Sequence, residues 1–154
     1  MNHTVRDPDY AARVLRSFEA QAFMTTIGAR LERVEPGEVV ITLPFRADLV
    51  QQHGFLHAGV VAAVADSACG YAALSLMEPD AAVLSVEFKI NLLAPARGDR
   101  FEAAARVIKP GRTLMICTAE VRASQAGAGA APGTLVAAMQ GTMMAIRDRG
   151  SLRD

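Results

Sequence analysis

The segment "HAGVVAAVADSACGYAALSLM", residues 57–77, constrains this chain more than any other. A helix built from it has no polar stripe, and a helix that is hydrophobic all round must be enclosed by the rest of its protein. The segment is also about as long as a membrane span, which needs about 20 residues. Against a span, Asp66 would lie in mid-bilayer, Ala and Gly dominate the segment, and its flanks read as soluble amphipathic structure. The expected form is therefore a buried helix with one carboxylate in its middle. An ionised group in apolar surroundings is costly unless something compensates it.

The flanking sequence shows what encloses the helix. "DPDYAARVLRSFEAQAFMTTIGA" opens with Asp/Pro helix-start chemistry, and Val14, Leu15, Phe18, Ala22 and Phe23 follow at helical spacing up to a stop at Gly28. "ARLERVEPGEVVITLPF" reads as two strands about the turn "EPGE", and "RADLVQQHGFL" as the loop into the buried helix. Beyond it, "LSVEFKINL" alternates strictly, with Leu84, Val86, Phe88, Ile90 and Leu92 on one side and Ser85, Glu87, Lys89 and Asn91 on the other. Period two predicts a half-buried strand with Ser85 on its polar face. Two further strands flank the turn "KPGR", and "LVAAMQGTMMAI" makes a last one. Between them lies the small-residue loop "ASQAGAGAAPGT", whose "GAGAAPG" opens no helix and is no dinucleotide motif. The tail "RDRGSLRD" is expected to fray. One α+β domain over residues 1–154 results, with its core at about 12–147: a curved antiparallel sheet wrapped around one long helix. The open edges of such a sheet favour edge-to-edge dimers.

Lys plus Arg and Asp plus Glu balance at 16 each, for a net charge of zero, so global attraction to nucleic acid or an anionic membrane is not supported. Cys69 and Cys117 have neither metal nor redox spacing and read as buried, reduced thiols. With no apolar leader at the N-terminus, a cytoplasmic location is expected. His53 and His57 lie four apart, but Gly54 interrupts any helix there and no third ligand is suitably spaced, so no metal site is expected.

"HGFLHAGVVAAVAD", with His57, Ala58, Gly59 and Asp66, followed by "SVEFKINLLAPARGDRFEAAARVIKPGRTLMICTAEV", resembles the hotdog-fold acyl-CoA thioesterases, most closely the phenylacetic-acid-degradation group. Two departures stand out: Ala58 occupies a position that is usually Gly, and Gln51 one that is often Asn. The resemblance implies thioester hydrolysis without a metal or redox cofactor, coenzyme A entering as part of the substrate. It also implies a dimer or pair of dimers whose sites lie at the subunit interface, the aspartate coming from the other protomer.

The chemistry of such a reaction fits these residues. A developing oxyanion needs N–H donors, and the first N–H groups of a helix, here those of Ala58 and Gly59, have no intrahelical partner. A base or nucleophile is also needed, and Asp66 is the candidate. Nine residues of helix separate it from His57 by about 13.5 Å along the axis and about 180° around it, so the two should not converge on one carbonyl within a single chain. His57 either contacts the substrate or holds the loop. The resemblance implies that Ser85 positions the attacking water, while Gln51 keeps a longer amide at its position. Lys109, Gly111 and Arg112 form a solvated hairpin turn or a seat for coenzyme A phosphates. Met139, Met143 and Met144 read as adaptable packing, with an acyl pocket as a further use. Two other functions stay open on the same fold, a non-catalytic acyl-CoA-binding module and an enoyl-CoA hydratase or dehydratase. A purely structural protein is a third alternative.

Overall fold

The computed structural model describes residues 3–127 and 132–147. Helices α1 (Tyr10–Ala20) and α2 (Ala22–Ile27) lead into strands β1 (Arg30–Glu35) and β2 (Glu38–Pro44). A 3-10 turn over Ala47–Leu49 and a tight loop precede α3 (Ala58–Leu74). Strands β3 (Ala82–Leu92), β4 (Arg100–Lys109), β5 (Leu114–Ser124) and β6 (Thr134–Ile146) complete one antiparallel sheet in the order β1-β2-β4-β5-β6-β3. This is the expected α+β hotdog arrangement, with α3 lying against β2, β4, β5, β6 and β3. The tail beyond Arg147 and the centre of the "GAGAAPG" loop lie outside the described residues. Among the described residues no helix is long and apolar enough to cross a membrane.

Small residues set the fit between helix and sheet. Ala103 and Ala105 of β4, Ala119 of β5 and Ala137 of β6 are buried, as are Ala65, Ala68, Ala72 and Ala73 of α3, so the two backbones approach closely. Larger side chains fill the ends, among them Ile41, Leu43, Phe101, Met115 and Leu74. Burying each contributes about 1.5–3 kcal/mol. The C-terminal end of α3 is tied down by Arg13 of α1, only 2% exposed. Its guanidinium donates to Leu74 O at 2.9 Å, Met77 O at 3.0 Å and Glu78 O, and lies 3.3 Å from Asp7. A cation at that end also complements the helix dipole.

Three sequence expectations need correction. The leading helix is broken at Gln21, whose backbone is extended (φ −79°, ψ 92°). Only Val14 and Phe18 of its apolar stripe are buried with Met24 and Ile27, while Leu15 and Phe23 stay exposed. The central helix is not enclosed all round, because Ala62, Ala63, Asp66 and Ser67 form a half-buried flank. The third correction concerns β3. It is one of the sheet's two outer strands, and Leu84, Val86, Phe88 and Leu92 are all exposed. Its alternation is also broken by a bulge between Ser85 and Glu87.

Candidate active site

The loop before α3 is built to present the helix start. Gln51 N–H donates to Phe55 O and Gly54 N–H to Gln51 O, both at 2.9 Å, closing a turn in which Gly54 takes φ 79°. Leu56 N–H donates to Ala96 O, and His57 N–H to Leu49 O, which docks the turn on the body of the protein. His57 then caps α3, its Nδ1 accepting the Gly59 N–H at 2.9 Å. The imidazole proton therefore sits on Nε2. Of the two donors expected at this helix start, the Gly59 N–H is engaged by His57. The Ala58 N–H has no partner among the described residues. His57, Ala58 and Gly59 are all solvent-exposed.

Asp66 lies two turns further on, and Ser85 Oγ donates to its Oδ1 at 2.7 Å. Period two had placed Ser85 on the polar face of its strand, and the bulge explains why it is elsewhere. Ser85 pairs with Met143, and Phe88, Ile90 and Leu92 pair with Gly141, Met139 and Ala137. Directly opposed residues share a face, so Ser85 joins Phe88, Ile90 and Leu92 on the helix side. Glu87, Lys89 and Asn91 take the outer face, where Thr142 Oγ1 donates to Glu87. Partial burial raises the Asp66 pKa, and the Ser85 hydroxyl opposes that by stabilising the charged form. The thiols nearby do not compete as nucleophiles. Burial pushes Cys117 up to about 12 and Cys69 higher still, so both stay protonated.

Ala58 and Asp66 open into different cavities, each of about 420 Å³. The first is lined by Asp66, Ser85, Gly70 and Tyr71 together with Arg16 and Gln21. The second is largely apolar and joins Ala58 and Gln51 to Phe55, Leu92, Pro95 and Val136. Arg97 lies over the Phe55 ring at 5.1 Å. Gln51 Oε1 accepts from the His53 N–H, so that amide holds the turn. Lys109 and Arg112 are exposed at the β4–β5 hairpin and line neither cavity. At Gly111 a Cβ would meet Leu114 O at 2.0 Å, so the turn itself requires glycine. The sequence reading missed Gln21 and Gly70, both on the wall of the Asp66 cavity.

A carboxylate beside a hydroxyl and an N–H at a helix start are the groups this geometry offers, and comparison with known proteins gives the class of reaction. The thioesterase superfamily matches residues 53–130, which include the capped helix start, Asp66 and Ser85. The chain belongs to that superfamily. It is a hydrolase of thioester bonds. A solved thioesterase family protein from Silicibacter pomeroyi is 51% identical, covers 90% of this chain and 98% of its own, and superposes with a TM-score of 0.85. The 1,4-dihydroxy-2-naphthoyl-CoA hydrolase of Listeria monocytogenes is 32% identical over 59% of this chain and 74% of its own length. The PaaI protein of the E. coli phenylacetic acid degradation operon is 22% identical and covers 90% of this chain and 94% of its own. Its TM-score of 0.77 shows a shared fold.

Proposed function

We propose that the protein hydrolyses aryl- or short-to-medium-chain acyl-CoA thioesters to free acid and coenzyme A, at a site shared between two copies of the chain. The observation that carries this reading is the separation of two half-sites. Asp66 with its Ser85 hydrogen bond lies in one cavity, and the free Ala58 N–H in another. A second copy docked along β3 supplies the missing half to each. That strand offers an unpaired edge with Leu84, Val86 and Phe88 exposed, and leads to the exposed Leu92 and Leu93. Coenzyme A thioesters suit the family, since the Listeria relative is named for one.

In the assembled site the thioester oxygen sits on the Ala58 N–H, where negative charge is favoured as the tetrahedral intermediate forms. The partner's Asp66 accepts a proton from the attacking water as the C–O bond forms. The thiolate of coenzyme A then leaves and is protonated. In the alternative route Asp66 attacks directly, giving an acyl-aspartate anhydride that water hydrolyses. Neither route calls for a metal or redox cofactor. Lys109 and Arg112, which have no ion pair among the described residues and flank Gly111, are the proposed contacts for the coenzyme's phosphates. Dimers pair further into a tetramer, and the cytoplasm, which suits two free buried cysteines, is the proposed compartment.

Thiol release from acetyl-, hexanoyl- and phenylacetyl-CoA tests the proposal, with wild type run beside Asp66→Asn and Asp66→Ala. The expected result is turnover by wild type and a loss of about 10²-fold or more in both variants, with oligomeric state unchanged. Binding without thiol release would instead support an acyl-CoA-binding module. The methyl of Ala58, where the family usually has glycine, is the observation favouring that second reading.

A further inference from the structure

Gly70 is a glycine that neither backbone nor packing requires. It sits inside α3, where its φ is not positive, and a Cβ built on it meets nothing within 4 Å. Alanine is the better helix former and is used at Ala62, Ala63, Ala65, Ala68, Ala72 and Ala73 of the same helix. Yet Gly70 is buried, so the space before it is a recess in the protein rather than an open face of the helix. That recess belongs to the cleft of about 420 Å³ which Asp66 and Ser85 also line. Gly70 follows Asp66 by four residues, which puts the two on one face of the helix, about 6 Å apart along its axis. An alanine here would strengthen the helix and shrink the cavity.

The opposite wall is polar. Gln21 breaks α1 from α2, and its Oε1 accepts from Ser67 Oγ at 3.2 Å. That contact fixes the carboxamide and leaves its Nε2 without a partner among the described residues. Arg16, on the same wall, is exposed and has no ion pair among the described residues.

We infer that the Asp66 cavity houses the acyl group of the substrate, that Gly70 sets the size it admits, and that Gln21 receives a hydrogen-bond acceptor at the acyl group's far end. The inference rests on the thioesterase reading and adds the acyl class: compact, with a polar tip.

The test compares kcat/KM for wild type, Gly70→Ala, Gly70→Leu and Gln21→Leu on acetyl-, hexanoyl-, 6-hydroxyhexanoyl- and phenylacetyl-CoA. Gly70→Leu is expected to lose at least about tenfold more on hexanoyl- and phenylacetyl-CoA than on acetyl-CoA. Gly70→Ala shifts the same ratios less while its melting temperature rises, so a misfolded Leu variant leaves the test intact. Gln21→Leu lowers the ratio of 6-hydroxyhexanoyl to hexanoyl turnover. An equal loss across the acyl series in both Gly70 variants overturns the assignment of the cavity. An unchanged ratio in Gln21→Leu overturns the polar tip. If wild type releases thiol from none of these esters, the thioesterase reading fails. The cavity is then judged from dissociation constants of the same esters, where the same size and polarity selectivity is expected.

Discussion

At the scale of single residues, Asp66 is held between two opposing effects. Burial raises its pKa and the Ser85 hydroxyl pulls it back. In the proposed role, as base or nucleophile, Asp66 acts only when ionised, so activity should fall as pH falls through a midpoint above the ordinary carboxylate value. Ser85→Ala removes a donor to the charged form, and its acidic limb should therefore lie at higher pH than that of wild type. A pH profile of kcat/KM for both proteins checks this, and coincident limbs would show that the contact does not govern ionisation. The same shift has a sign for stability. A carboxylate whose folded pKa is raised stabilises the fold fully below its unfolded pKa, and that contribution is lost as pH rises through the folded value. Asp66→Asn should therefore melt higher than wild type above that range, and the gap should close in acid. Asp66 was legible in the sequence because a charge in an apolar helix is anomalous on its face. Gly70 and Gln21 were not, because their meaning lies in an empty volume that no spacing reveals.

At the scale of elements, the start of α3 allows a test that separates backbone from side chain. Ala58 is the first helical residue after the cap, a position where proline is favoured because its missing N–H is an orphan anyway. The preceding His57 has φ −61° and ψ 136°, the extended conformation that a following proline prefers. Ala58→Pro should thus fold as well as wild type and keep the His57 cap on Gly59. If the Ala58 N–H holds the oxyanion, the variant should lose about 10²–10³ in kcat. Thermal melts and steady-state kinetics on one preparation decide it, and retained turnover would move the oxyanion elsewhere. The sequence made most elements readable through turns such as "EPGE" and "KPGR", which bound strands of regular pattern. It misjudged β3 because Leu84, Val86, Phe88, Ile90 and Leu92 keep perfect period two across a bulge. Val86 is the extra residue there, so Leu84 and Phe88 end on opposite faces. A bulge depends on the partner strand, and a single strand's alternation carries no trace of it.

At the scale of the whole molecule, the two cavities predict that defects in different chains can cure one another. Within one chain Ala58 and Asp66 open into separate spaces, and in the proposed site each meets its counterpart across an interface. In a two-fold dimer the first site takes Ala58 from one protomer and the partner's Asp66, and the second site takes the reverse. Ala58→Pro alone leaves both sites without the donor, and Asp66→Asn alone leaves both without the carboxylate. A dimer containing one chain of each kind concentrates both defects in one site and leaves the other intact. Random pairing of the two variants makes half of all dimers mixed, so about one quarter of wild-type activity should return. Co-expression of the two inactive chains at equal levels gives that random pairing, and thiol release per chain in the purified mixture checks it. If Ala58 and Asp66 of the same chain served one site, every site in the mixed dimer would lack one of them and no activity would return. Recovery would thus bear on the interface as well as the chemistry, because a shared site exists only where a second copy has completed the half-exposed flank of α3 and the open edge of β3.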